Sequence, residues 1–129
     1  MIKGIGTDII EISKIKKIHD MWGDKALKRV FTDNEIKYCN SIKYKFRSLS
    51  ARFAAKEAVL KAIGIGLNEG WRWRDVEISR LKSGKPEVKI TGRIKKLFDR
   101  LKLSRVEVSI SHSDNYAVAV AIVERYCQK

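Results

Sequence analysis

Cysteine, proline and long apolar runs are all scarce in this chain. Its two cysteines, Cys39 and Cys127, lie far apart and form no CxxC pair. That excludes a cysteine-built zinc site and a disulfide scaffold, and a reduced, cytoplasmic setting is the expectation. One proline and eight glycines in 129 residues exclude a collagen-like chain or a Pro-rich linker. No apolar run approaches the roughly 18 residues of a membrane span, so no membrane contact is expected. Asp8 and Glu11 interrupt the apolar N-terminus, which therefore does not read as a signal peptide. There is no GxxxxGK[ST] loop and no GxSxG elbow, and the two GIG triplets (4–6 and 64–66) lack the full dinucleotide fingerprint. Acid is scarce too: 15 Asp and Glu stand against 28 Lys and Arg, a net charge of +13.

What is present is a chain of one-domain length, 44% hydrophobic, enough to bury a core. The charge implies an anionic partner; nucleic acid, phosphorylated small molecules and acidic proteins all fit it. Aromatic residues do not interleave with the basic ones as an RNA-binding platform requires.

Residues 2–10 read as an Ile-rich strand and 11–22 as a helix with Ile12, Ile15, Ile18 and Trp22 on one stripe, stopped at Gly23. A short helix is expected at 24–30. Thr32 and Glu35 form a capping-box pattern that opens another helix at about 33–41. The clearest element is 48–63, rich in Ala and Leu and ended by Gly64. Residues 64–74 read as a loop containing Trp71 and Trp73, whose role the sequence leaves open. Two alternating segments, 76–79 and 87–91, flank a turn at 83–86 and predict a hairpin. Helical spacing returns over 92–102. A second hairpin follows, with strands 106–112 and 116–125 about a turn at 113–115. Its last strand is apolar on both faces, so it is either central or part of an interface. The sum is an α+β fold: one domain over 1–129, a mostly antiparallel sheet packed against one long helix and shorter ones.

Several residues could carry chemistry. Asp8 interrupts an apolar strand; it is either a surface residue at the strand end or a metal ligand. Glu57 and Lys61 stand four apart on the Ala-rich helix. The plainer reading is an exposed pair worth roughly 0.3–0.5 kcal/mol. The sharper one notes that Arg52, Lys56, Glu57 and Lys61 share a helix whose alanines 51, 54, 55 and 58 permit close approach, so its charges could face an anion and its metal. His112 ends a strand before a turn, where histidine is more often structural. Lys43, Lys45 and Arg47 form either a solvated patch or a phosphate contact.

Three segments in order, GIGTDIIEI (4–12), RFAAKEAVLKAIGIG (52–66) and SISHSDNYAVAVAI (109–122), resemble the small trimeric 4′-phosphopantetheinyl transferases, the holo-acyl-carrier-protein synthase family. FTDNEIKYC (31–39) and GKP (84–86) support the resemblance, which spans nearly the whole chain. It implies an enzyme that moves the phosphopantetheine arm of coenzyme A onto a serine of an apo acyl carrier protein, releasing adenosine 3′,5′-bisphosphate, in support of fatty acid biosynthesis. It implies magnesium, with manganese as an alternative, held by Asp8 and Glu57, and Lys61 near the diphosphate. Arg52, His112 and Ser113 match positions lining the coenzyme's phosphates. Gly84, Lys85 and Pro86 match the loop beside the adenine. Lys43 and Lys45 lie where the family places 3′-phosphate contacts. Two departures stand out: Lys14 replaces a common arginine and Ser113 a common threonine.

The residue types suit that chemistry. Phosphoryl-type transfer depends on positioning and charge neutralisation. Asp8 and Glu57 offer hard oxygens to Mg²⁺, Lys61 offsets charge on the leaving diphosphate, and Glu57, directly or through a metal-bound water, is the candidate base. The basic helix after the first strand, through Lys14, Lys17, Met21 and Trp22, is the expected docking surface for an acidic carrier protein. The resemblance also implies a homotrimer with strands around a threefold axis, Asp8 and Glu57 from one subunit meeting the GKP loop and His112 of the next. The competing reading, a basic nucleic-acid-binding module, rests on charge alone.

Overall fold

The computed structural model describes residues 1–65 and 71–126. Residues 66–70 of the expected loop, and Cys127, lie outside the described residues. The chain runs β1 (Ile2–Glu11), α1 (Ile12–Trp22), α2 (Asp24–Val30), α3 (Asp33–Asn40), α4 (Lys45–Ile63), a 3-10 turn (Trp73–Asp75), β2 (Val76–Arg80), β3 (Pro86–Ile90), α5 (Gly92–Arg100), β4 (Arg105–His112) and β5 (Tyr116–Glu124). The fold is α+β with antiparallel pairing throughout, in two sheets: β1-β5-β4 and the separate hairpin β2-β3. The expected capping box is present. Thr32 Oγ1 accepts the Glu35 N–H at 3.2 Å, and Glu35 Oε1 accepts the Thr32 N–H at 2.8 Å.

The long helix starts at Lys45, three residues before the sequence expectation. Lysine and arginine in a first turn oppose the helix dipole, and Tyr44 supplies no side-chain cap. Tertiary packing overrides both: Phe46 packs against the cluster of Ile15, Leu27, Phe31, Cys39 and Leu49. Gly64 at φ 88° closes the helix, its N–H reaching the Leu60 and Lys61 carbonyls.

α4 lies on one face of the three-stranded sheet, Ala51, Ala54, Ala55, Ala58 and Ala62 meeting Ala117, Ala119 and Ala121. The approach is so close that a Cβ on Gly4 would sit 1.9 Å from the Ala62 carbonyl oxygen, and one on Gly6 2.0 Å from that of Ala58. That contact explains the glycine spacing of β1. β5 is central, and its two faces differ. Ala117, Ala119, Ala121 and Val123 are buried under α4. On the other face Val120 is 39% exposed, beside Ile5 at 63% and Ile9 at 62% on β1. The apolar run of β5 therefore has cover on one side only. The two tryptophans also find places: Trp73 packs on Phe53, ring centroids 5.3 Å apart, and Trp71 meets Trp73 edge-on at 4.9 Å. They hold the end of the 64–74 loop against α4.

Candidate active site

The sheet face under α4 carries two groups of polar side chains, one at each edge. On β1 the inward row is Gly4, Gly6, Asp8 and Ile10; on β4 it is Val106, Val108, Ile110 and His112. Asp8 stands opposite Ala119, and Ala119 opposite Ile110. β5 thus separates the two groups by two strand spacings, about 10 Å, and α4 contacts all three strands between them.

At the β1 edge, α4 projects Glu57 and Lys61 one turn apart. The Lys61 ammonium donates to Asp8 Oδ1 at 3.1 Å and to the Thr7 carbonyl at 3.0 Å. Glu57 is half-buried, and its pKa is raised, first by burial, then by the negative charge of Asp8, with Lys61 opposing. Asp8 and Lys61 are thus ion-paired, and Glu57 lies within electrostatic reach of both. The donor set, carboxylate oxygens from two elements, fits a hard divalent cation that takes its remaining oxygens from substrate and water; among the described residues there is no cluster of three His, Cys, Asp or Glu.

At the β4 edge, a cleft of about 240 Å³ is lined by Lys43, Tyr44, Arg47, Ser48, Arg80 and His112. It adjoins a second of about 360 Å³, sharing Tyr38 and Arg80 and walled by Arg52, Glu77 and Ser79. Arg52 is 3% exposed, stacks over the Tyr38 ring at 4.6 Å and donates to Ser48 Oγ at 2.5 Å; its Nε has no hydrogen-bond partner among the described residues. Cations over aromatic faces in clefts of this size suit a phosphorylated, planar ligand.

The expected residues distribute unevenly. Asp8, Glu57 and Lys61 come together, as do Lys43, His112 and, next door, Arg52. Lys45 lies apart, over the Phe46 ring and within electrostatic reach of Asp24. Ser113 turns its hydroxyl inward on its own turn, accepting the Asn115 and Tyr116 N–H groups. Gly84, Lys85 and Pro86 form the tip of the β2-β3 hairpin, where Lys85 pairs with Glu107 of β4 at 3.1 Å. Arg80 and Tyr38 were missed as cleft residues. Arg80 ends a strand in a separate sheet, and nothing in sequence spacing signals that it lines the same cleft as Lys43. On α1, Lys14 and Lys17 are exposed, with Met21 at 72% and Trp22 at 69%.

A strand aspartate, a helix glutamate and lysine, and a cationic cleft on an α+β frame are side-chain chemistry suited to a phosphorylated substrate and a divalent cation. Residues 4–121 match the model of the 4′-phosphopantetheinyl transferase superfamily, and the chain belongs to that superfamily. Within it the chain belongs to the holo-acyl-carrier-protein synthases. It is 46% identical over 121 residues to the holo-[acyl-carrier-protein] synthase of Chlamydia trachomatis serovar D, covering 94% of this chain and 98% of that one. The crystal structure of the Neisseria meningitidis synthase superposes with a TM-score of 0.89 at 31% identity, over 97% of this chain and all of that one. The Helicobacter pylori synthase in complex with coenzyme A superposes with a TM-score of 0.82 at 31% identity, over 93% and 99%.

Proposed function

We infer that this chain transfers the 4′-phosphopantetheine arm of coenzyme A to a serine of an apo acyl carrier protein, giving the holo carrier and adenosine 3′,5′-bisphosphate. The observation that carries the reading is the Asp8–Glu57–Lys61 cluster at the β1 edge, in a chain of this family. Asp8 and Glu57 would hold Mg²⁺, with Mn²⁺ as an alternative. When bound, the ion neutralises the diphosphate and leaves room for phosphate and water oxygens.

The serine Oγ attacks the β-phosphorus of coenzyme A. The bond from that phosphorus to the oxygen bridging the α-phosphorus breaks, and adenosine 3′,5′-bisphosphate leaves. Glu57, directly or through a water, takes the serine proton. Lys61 exchanges its contact with Asp8 for the 5′-phosphate of the leaving adenosine 3′,5′-bisphosphate, where its charge offsets the negative charge developing on the former bridging oxygen. The cleft of Lys43, Arg47, Arg52, Arg80 and His112 takes the phosphorylated nucleoside end.

Within one chain the cleft and the carboxylates flank opposite sides of α4. The complete site therefore pairs the carboxylates of one subunit with His112 and the hairpin tip of its neighbour. The uncovered face of Ile5, Ile9 and Val120 is the contact that assembles the trimer. The carrier docks on Lys14, Lys17, Met21 and Trp22 of α1, whose charge complements an acidic helix. The whole chain acts as one transferase domain in the cytoplasm. Incubation with coenzyme A, Mg²⁺ and an apo carrier protein, followed by mass spectrometry of the carrier, tests the reading. The expected result is one added phosphopantetheine, lost on chelation of the metal; an unmodified carrier would sink it.

A further inference from the structure

Lys56 precedes Glu57 in the chain, takes no part in the steps above, and is fully buried. Its ammonium meets three acceptors, Glu35 Oε1 at 2.6 Å, the Val76 carbonyl at 2.5 Å and the Trp73 carbonyl at 3.2 Å, one for each of its protons. Glu35 is 2% exposed and equally committed, accepting the Ile78 N–H at 2.9 Å and the Thr32 N–H at 2.8 Å. The pair ties α4 to the N-terminus of α3 and to the start of β2.

A helix resting on its neighbours needs something to fix its rotation. Ridges fitting into grooves normally do this. The sheet-facing side of α4 is almost all alanine, set on Gly4, Gly6 and the alanines of β5. Such surfaces approach closely but interlock little. Side-chain ends lie about 5–6 Å from a helix axis, so a slip of about 20° displaces one by about 2 Å. That is as long as a magnesium–oxygen bond of roughly 2.1 Å. Buried ion pairs add little net stability but are strongly directional.

We propose that the Lys56–Glu35 pair is the rotational lock of α4, and that Lys56 is a positioning residue which aims Glu57 at Asp8. The proposal rests on the reading of Asp8 and Glu57 as metal ligands. The direct variant is Lys56→Met. The companion is Lys56→Met with Glu35→Met, which removes both buried charges together and leaves neither unpaired. Mn²⁺ affinity without coenzyme, kcat, and KM for the carrier are measured at a temperature where near-UV circular dichroism shows native packing. In the folded variants Mn²⁺ affinity and kcat each fall about 10- to 100-fold, while KM for the carrier, which docks on α1, stays within about twofold. A folded variant with native Mn²⁺ affinity and native kcat overturns the lock. Loss of native packing in both variants overturns it too, since the pair would then hold the whole fold rather than one helix's rotation. Glu57→Gln is the separate control: if it binds Mn²⁺ and turns over as the parent does, the metal reading fails instead.

Discussion

Consecutive residues of α4 belong to two carboxylate–ammonium groups built from the same side-chain types. Lys56 and Glu35 pair at 2.6 Å with side chains 0% and 1% exposed, and Lys56 has an acceptor for every proton. Lys61 and Asp8 pair at 3.1 Å with side chains 53% and 17% exposed, and Glu57 beside them carries a raised pKa. Residue type does not separate scaffold from candidate site here; burial and saturation do. The buried pair has no capacity left for a ligand. The open group holds more negative charge than one ammonium balances, and that imbalance is a capacity for a cation.

Removing either carboxylate of the open group is the largest way to test that contrast. Asp8→Asn and Glu57→Gln should each lower turnover about 100-fold or more, with an unchanged far-UV spectrum. Mass spectrometry of the carrier reads the loss; near-native turnover in either variant would erase the distinction between the two groups.

The next effect separates subunits. Ile5→Lys with Ile9→Lys places charge on the uncovered sheet face, and light scattering should then give a mass near that of one 14.8 kDa chain, with activity lost. If the site is shared as proposed, subunit exchange between Glu57→Gln and His112→Ala should restore partial activity, because intact carboxylates and an intact histidine would then meet across one interface. A fully active monomer at nanomolar concentration would refute the shared site.

A smaller effect is expected on α1. Lys14→Glu with Lys17→Glu should raise KM for the carrier about tenfold and that for coenzyme A by less than about twofold, with the carrier effect shrinking in high salt. Equal changes in both constants would remove α1 from the docking surface.

The smallest effect is on stability. The pKa of Glu57 is raised in the folded chain. Its protonated form is therefore favoured by folding, and that contribution is lost as pH rises through the folded pKa. At neutral pH without metal the charged carboxylate destabilises the fold, so Glu57→Gln should raise Tm by about 2 °C at most after solvent screening. The gap should close as pH falls below the folded pKa of Glu57. A Tm gain that persists at low pH would assign it to packing instead.

Local patterns in the chain were enough for most elements, because they depend on neighbours in sequence: the Thr32–Glu35 box, the Gly64 stop and both hairpins appear where spacing puts them. The candidate site was not legible that way: Asp8, Glu57 and Lys61 were singled out by the resemblance that GIGTDIIEI and RFAAKEAVLKAIGIG carry, since their spacing alone also fits a surface residue and an exposed ion pair. Other features needed the folded chain. The start of α4 depends on where Phe46 finds its core, so the helix reaches back to Lys45 against its own dipole. The division of the strands into two sheets, the exposed side of β5 and the cleft that Arg80 and Lys43 both line all depend on contacts between distant segments. Lys56 and Lys61 illustrate the limit. Five residues apart on one helix, they look alike in sequence. Only the elements packed around each decide that one ammonium is sealed against Glu35 while the other stays open beside Asp8. Charge and spacing are local properties of the chain; desolvation is a property of the assembled fold.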